Sequence, residues 1–374
     1  MNVARMPEVR LDTPAEGAGL TFAHFPQLDG FRGLAAILVL SGHVLEFSTA
    51  RYRLQVFGES MAQLGVLLFF VLSGFLITGL LYRERANAKG IDMGRFYARR
   101  ALRLAPALLL FLGVCFILVK SNVITDIPKY EFVVCLLYLR NIYGRSQSLA
   151  HLWSLALEEQ FYLVWPWFVK FVRRDRLLTF AICATVLISV FRMVGIRLAL
   201  FSYDRGVFYE RPWFRFDSIL IGCCVALALL EGRATFRHLF VGASDLSKTA
   251  SWCLLFLWTA WGESLSHTFY ITLQMIIAAL VLCQLILVPK GGIFALFCSA
   301  WLRYCGKISY SLYLWQQLFL VVKDPSWGLV RTFPINLLAP FACAMVSYHL
   351  VESPALRLKN RFEPPAKADS SLRT

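Results

Sequence analysis

The sequence predicts an all-α polytopic membrane protein: a bundle of about ten transmembrane helices with an additional short re-entrant or interfacial segment. Three observations predict it. The 374 residues are 58% hydrophobic and only 16% charged, with a mean hydropathy of +0.60, against roughly 45–50% apolar and 25% charged in a soluble domain. Apolar runs near the roughly 20 residues needed to cross a bilayer recur from residue 33 to residue 350. Lys and Arg gather in alternate short loops, as helix orientation in a membrane requires.

In chain order, residues 1–25 read as a cytoplasmic N-terminal tail, with Pro7 and Pro14 and without the short apolar core of a signal peptide. Spans are predicted at 31–48, 61–82, 104–119, 152–169, 177–195, 213–230, 250–262, 268–289, 308–322 and 334–350. The run EFVVCLLYLRNIY (131–143) is too short and too soon charged to cross, so it is the re-entrant or interfacial piece. With the N-terminus cytoplasmic, this scheme places 24 Lys and Arg on the inner side and 11 on the outer. Counting 131–143 as a crossing would move KFVRRDR, from Lys170, to the outside. The positive-inside rule therefore favours ten spans with both termini on the cytoplasmic side. The membrane unit is 26–355, and 356–374, rich in Pro, Ser and charge, reads as a disordered cytoplasmic tail.

The formal charge of +15 sits in loops between apolar runs, where it sets orientation and attracts anions. No basic surface with interleaved stacking aromatics suggests nucleic acid. The ten cysteines form neither a CxxC pair nor a metal framework, so no metal site is expected.

Charged residues inside such helices need a reason, because lipid exposure is costly. In the first span Arg32 lies at the inner mouth. His43 follows eleven residues on, roughly 16 Å further out and on nearly the same face. His43 serves either as an interhelical hydrogen-bonding group or as a general base or proton relay. Gly42 beside it leaves room for a close helix or substrate. RFYARRALRLAP (95–106) sets Arg99, Arg100 and Arg103 near the lipid boundary at helical spacing. That is either ordinary inner-side charge or a clamp for the phosphates of a diphosphate-bearing donor. Ser73, in FFVLSGFLITG, belongs to a close helix contact or to a narrow substrate channel.

HLWSLALEEQF (151–161) carries His151, Trp153, Ser154, Glu158 and Glu159. Ser154 is placed to cap a helix, and Trp153 and Trp165 mark interfacial depth or a sugar-stacking wall. The two glutamates point about 100° apart, so only one is expected to face and orient His43. Arg211 and Arg215 share a face at an outer mouth, where Asp217 can neutralise either; both are candidate substrate contacts.

These strings, FRGLAAILVLSGH, FFVLSGFLI, RFYARRALRLAP, WSLALEEQFYLVWP, FRFDSILIG, ISYSLYLWQQ and the terminal ESP, resemble in order the motifs of the membrane acyltransferase 3 family. Its bacterial members O-acylate polysaccharides, lipopolysaccharide, peptidoglycan, Nod factors and some macrolides. The resemblance covers about residues 26–355. It implies transfer of an acyl group, frequently acetyl from acetyl-CoA, to a hydroxyl of a sugar, cell-surface glycan or macrolide-type acceptor. Acyl-CoA is then a donor substrate, and no permanently bound cofactor is expected. Carried over by position, the resemblance implies that Arg32 and His43 form the first-helix pair. Arg100 and Arg103 match the RxxR element, and Glu158 or Glu159 the essential acid. Some relatives carry a fused SGNH hydrolase-like domain, whereas this chain resembles the stand-alone members. Gln316 departs from the pattern, since many relatives have histidine there. A catalytic task for that position is thereby put in doubt, and acceptor preference is the other reading.

The expected mechanism has Arg99, Arg100 and Arg103 on the donor phosphates, with Arg32 near the reacting end or balancing negative charge. His43 takes the acceptor proton, oriented by Glu158 or Glu159, while Trp153, Ser73, Arg211 and Arg215 contact substrate. A covalent acyl-histidine is a less favoured route. The rival reading is a proton-coupled transporter of an anionic solute or glycan intermediate.

Overall fold

A computed structural model describes residues 25–47, 52–86, 90–198, 210–231, 240, 243–266, 268–321, 328–330 and 332–359. Both predicted tails, 1–25 up to residue 24 and 356–374 from residue 360, lie outside the described residues.

The described chain is helical, in the order α1 (Pro26–Glu46), α2 (Tyr52–Arg85), α3 (Met93–Lys120), α4 (Lys129–Leu136), α5 (Arg140–Tyr143), α6 (Leu152–Phe171), α7 (Arg174–Arg197), α8 (Pro212–Leu230), α9 (Asp245–Leu265), α10 (Tyr270–Leu287), α11 (Gly291–Cys298), α12 (Ala300–Lys307), α13 (Ser309–Val321) and α14 (Ile335–Ser347). A π-helical turn, Tyr348–Glu352, then leads into α15 (Ser353–Lys359). Each of the ten predicted spans coincides with a helix or most of one. Seven segments among the described residues are long and apolar enough to cross a membrane, the last running from Ile335 to Leu358. The other three predicted spans fall short for visible reasons. Glu158, Glu159 and Gln160 interrupt α6, Asp245 and Lys248 sit in α9, and α13 has only 13 residues.

Segment 131–143 breaks into α4 and α5, with Tyr138 at φ 53° between them. Neither helix is long enough to cross. Gln160 of α6 fixes the break, donating to the Tyr138 carbonyl (2.7 Å) and to Asn141 Oδ1 (2.9 Å). The predicted spans 268–289 and 308–322 imply a connecting loop over 290–307. The structure instead folds it into α11 and α12, which pack along α1.

The core lies where α1, α2 and α8 meet, with α10 and α11 completing it through Phe31, Leu67, Val71, Phe75, Ala226, Val281 and Phe297. Helix α2 is apolar all round because it is covered all round. Contact is close because Gly74 and Gly222 face the partner backbone. A Cβ at Gly222 would collide with the Val71 carbonyl oxygen, and one at Gly74 with that of Ile219. Helices α3, α6 and α7 turn Leu109, Ile117, Leu163, Phe171 and Leu187 outward, the surface a lipid environment solvates.

Candidate functional site

Five helices, α1, α2, α3, α6 and α13, surround a cavity of about 180 Å³. Its walls are largely apolar (Phe69, Phe70, Leu76, Leu80, Leu104), and its polar lining comprises Arg32, Ser73, Arg100, Arg103, Ser154, Glu158, Tyr162, Ser309, Tyr310 and Tyr313. Residues eighty or more positions apart converge here because each span can bury its few charges only against another span.

The two adjacent glutamates separate as helical phase requires. Glu158 accepts hydrogen bonds from Ser73 Oγ and from Tyr162 OH, the latter at 2.7 Å. Glu159 pairs instead with Arg100, whose guanidinium also lies 3.5 Å from the centre of the Tyr162 ring. Both partners of that ion pair are about five-sixths buried. Arg99 turns away from the cavity and pairs with Glu84 of α2, both side chains being buried. Arg103 lines the cavity with no hydrogen bond or ion pair among the described residues. Arg32 lies 3.6 Å from Asp29, one turn back, and is close enough to Arg103 for the two charges to repel. The four cationic groups thus differ: Arg99 and Arg100 are neutralised locally, whereas Arg32 and Arg103 share one space.

His43 does not line the cavity. Its Nδ1 lies 3.2 Å from Gln316 Oε1, and its Nε2 lies 3.9 Å from Glu46 Oε2. Because an amide oxygen only accepts, Nδ1 carries the proton and Nε2 keeps its lone pair. Glu158 and Glu159 bond to Ser73, Tyr162 and Arg100, and the group hydrogen-bonded to the imidazole is Gln316, which is fully buried. Gly42 faces Gly58 and Ala62 of α2, so the room it leaves is taken by a neighbouring helix.

Two residues of the cavity lining, Ser154 and Tyr313, are tied to His151. Tyr313 OH donates to the His151 carbonyl (2.7 Å) and is bonded to Ser154 Oγ. Ser154 is therefore not the helix cap: α6 begins at Leu152, with His151 in the cap position and no acidic residue in the first turn.

The remaining expected contacts are dispersed. Trp153 packs edge-on against Phe70 (ring centres 5.9 Å apart) outside the cavity lining. Arg211 donates to the Asn141 carbonyl (2.8 Å), and Arg215 is buried with its guanidinium 5.9 Å from the Phe70 ring centre. Asp217 pairs with Arg192 (2.6 Å) and accepts from Ser189 (2.8 Å). Sequence reading missed Arg192, Glu84 and Tyr162 as partners. The intramembrane charge of Arg192 was the available signal, and the departure at Gln316 was the signal for its special position. Among the described residues no group of three His, Cys, Asp or Glu is placed to hold a metal ion.

Residues 25–348 match the family model of the acyltransferase domain, Acyl_transf_3. The chain is similar to the peptidoglycan O-acetyltransferase OatA of Listeria monocytogenes, 28% identical over 357 residues, covering 88% of this chain and 56% of the relative. It is equally similar to the O-acetyltransferase OatA of Staphylococcus aureus, 28% identical over 356 residues, covering 88% and 57%. The chain spans about half the length of these relatives. No solved structure matches it. With the matched region covering the helices that form both the cavity and the His43 site, the chain belongs to the acyltransferase 3 family of multi-pass membrane proteins.

Proposed function

We propose that this chain is an O-acyltransferase that moves an acetyl group from acetyl-CoA to a hydroxyl of a cell-surface glycan. The observation that carries this reading is the pairing of two features in one bundle. One is a cavity lined by both Arg32 and Arg103, and the other is an imidazole whose Nε2 is left unprotonated because Gln316 takes the Nδ1–H hydrogen bond. The similarity to O-acetyltransferases of Listeria monocytogenes and Staphylococcus aureus points the same way.

Arg103, which makes no hydrogen bond or ion pair among the described residues, and Arg32 are the groups that would hold the donor phosphates, while Arg100 and Arg99 build the wall through Glu159 and Glu84. Arg32 and His43 are eleven residues apart on one helix, roughly 16 Å. A donor held at the arginines therefore needs a long, slender arm to bring its acyl carbonyl to His43, which favours a thioester on a CoA-type arm over a compact acyl phosphate. At that separation Arg32 serves the phosphates and not the reacting carbonyl.

In the reaction the acceptor hydroxyl gives its proton to His43 Nε2 as its oxygen forms a bond to the thioester carbonyl carbon. The carbon–sulfur bond then breaks, and the leaving thiolate takes the proton back from the imidazolium. His43 ends neutral, the glycan carries an ester, and the donor leaves as a free thiol. Purified protein in liposomes with radiolabelled acetyl-CoA and an N-acetylglucosamine tetramer tests this. Label covalently attached to the sugar is expected; uptake of unmodified solute without a labelled product would replace the reading with transport.

A further inference from the structure

His151 immediately precedes α6, and its side chain is not used by any step above. The residue is 3% exposed, with the ring held edge-on between Phe111 (5.6 Å between centres) and Tyr313 (5.5 Å). Neither ring nitrogen has a hydrogen-bond partner among the described residues; the Leu314 carbonyl lies nearby without meeting hydrogen-bond geometry. Gln316, whose Oε1 accepts a hydrogen bond from His43 Nδ1, likewise has a buried Nε2 with no partner among the described residues. His43 and His151 are close enough for their charges to interact. Three buried polar nitrogens without partners thus cluster around the imidazole that is to accept the proton. A buried polar nitrogen left without a partner is destabilising if nothing else bonds to it, so the cluster calls for a visiting partner.

The chemistry selects that partner. A neutral imidazole offers one donor and one acceptor, and the Gln316 amide offers a donor. A hydroxyl also carries one donor and acceptor lone pairs, so it satisfies either side, whereas an anion leaves the imidazole acceptor idle and a cation leaves the donors idle. We propose that His151 and the Gln316 amide nitrogen form a buried subsite for hydroxyls of a sugar acceptor, beside His43. The subsite deepens the acyl-transfer reading and rests on it. Tyr313 fixes its back wall by holding the His151 carbonyl.

Replacement by an apolar side chain separates this from a packing role. If the ring nitrogens have no partner in the fold, His151→Leu and His151→Phe remove an unmet polar group without removing a bond. At least one of them is then expected to melt at or above the wild-type temperature. The acceptor KM, measured with the N-acetylglucosamine tetramer and labelled acetyl-CoA, is expected to rise about tenfold or more, while the donor KM stays within about twofold. An unchanged acceptor KM in a stably folded variant would overturn the subsite. So would destabilisation of both variants, which would mean that the nitrogens are bonded within the fold. Wild-type protein that transfers no label at all would instead sink the acyl-transfer reading, and the subsite with it.

Discussion

Removing the Gln316 carbonyl should reach the chemistry only through His43. In Gln316→Ala the imidazole loses the acceptor 3.2 Å from Nδ1, so ring orientation and tautomer are no longer fixed. A hydrogen bond of this kind is worth about 0.5–1.5 kcal/mol net, which converts to a loss of about 2- to 12-fold in kcat at 1.4 kcal/mol per decade. His43→Ala removes the base itself and should cost about 10²- to 10⁴-fold. The informative variant is the double one: with no imidazole left to orient, Gln316→Ala should add nothing further, so the two effects are non-additive. The assay is initial-rate transfer of labelled acetyl to the N-acetylglucosamine tetramer at saturating donor, using protein of equal melting temperature. A double variant about tenfold slower than His43→Ala alone would refute the idea that Gln316 acts through His43, as would a full-rate Gln316→Ala.

Three further outcomes follow from the same geometry. Arg103→Ala should raise the donor KM with little effect on the acceptor KM, because Arg103 lines the cavity and makes no hydrogen bond or ion pair among the described residues; unchanged donor dependence in initial rates would remove the phosphate role. Arg100→Met should destabilise by about 3–5 kcal/mol by leaving Glu159 buried without its cation, and Arg100→Met with Glu159→Leu should recover most of that in a denaturation midpoint. Gly222→Val should lower the melting temperature sharply, since even a Cβ collides with the Val71 carbonyl oxygen and overpacking of this sort costs about 1–3 kcal/mol or more.

The spans were legible because apolar length and charge asymmetry are written locally in the chain. Even the break at 131–143 was visible, because Arg140 follows its apolar run too soon for a crossing. Helices α11 and α12 were not visible in advance, since an eight-residue helix spans only about two turns, too short a window to show an apolar period, and they pack on α1. At the site, helical phase correctly separated Glu158 from Glu159 but could not say what each would meet. One meets Ser73 and Tyr162, the other Arg100, and these partners are defined only by how distant spans pack. For the same reason spacing alone could not distinguish Arg99, buried against Glu84, from Arg103, which lines the cavity four positions later. Ser154 resembled a cap because serine often begins a helix, but here its hydroxyl is bonded to Tyr313.

The central claim is that the His43 imidazole takes the proton of an acceptor hydroxyl as that oxygen attacks the donor thioester, in a membrane bundle that holds the donor at Arg32 and Arg103. Mass spectrometry of the N-acetylglucosamine tetramer after incubation with acetyl-CoA and the purified protein tests it most directly. The account predicts a base-labile mass increase of one acetyl ester with wild-type protein and none with folded His43→Ala. The same ester formed at an undiminished rate by His43→Ala would contradict it.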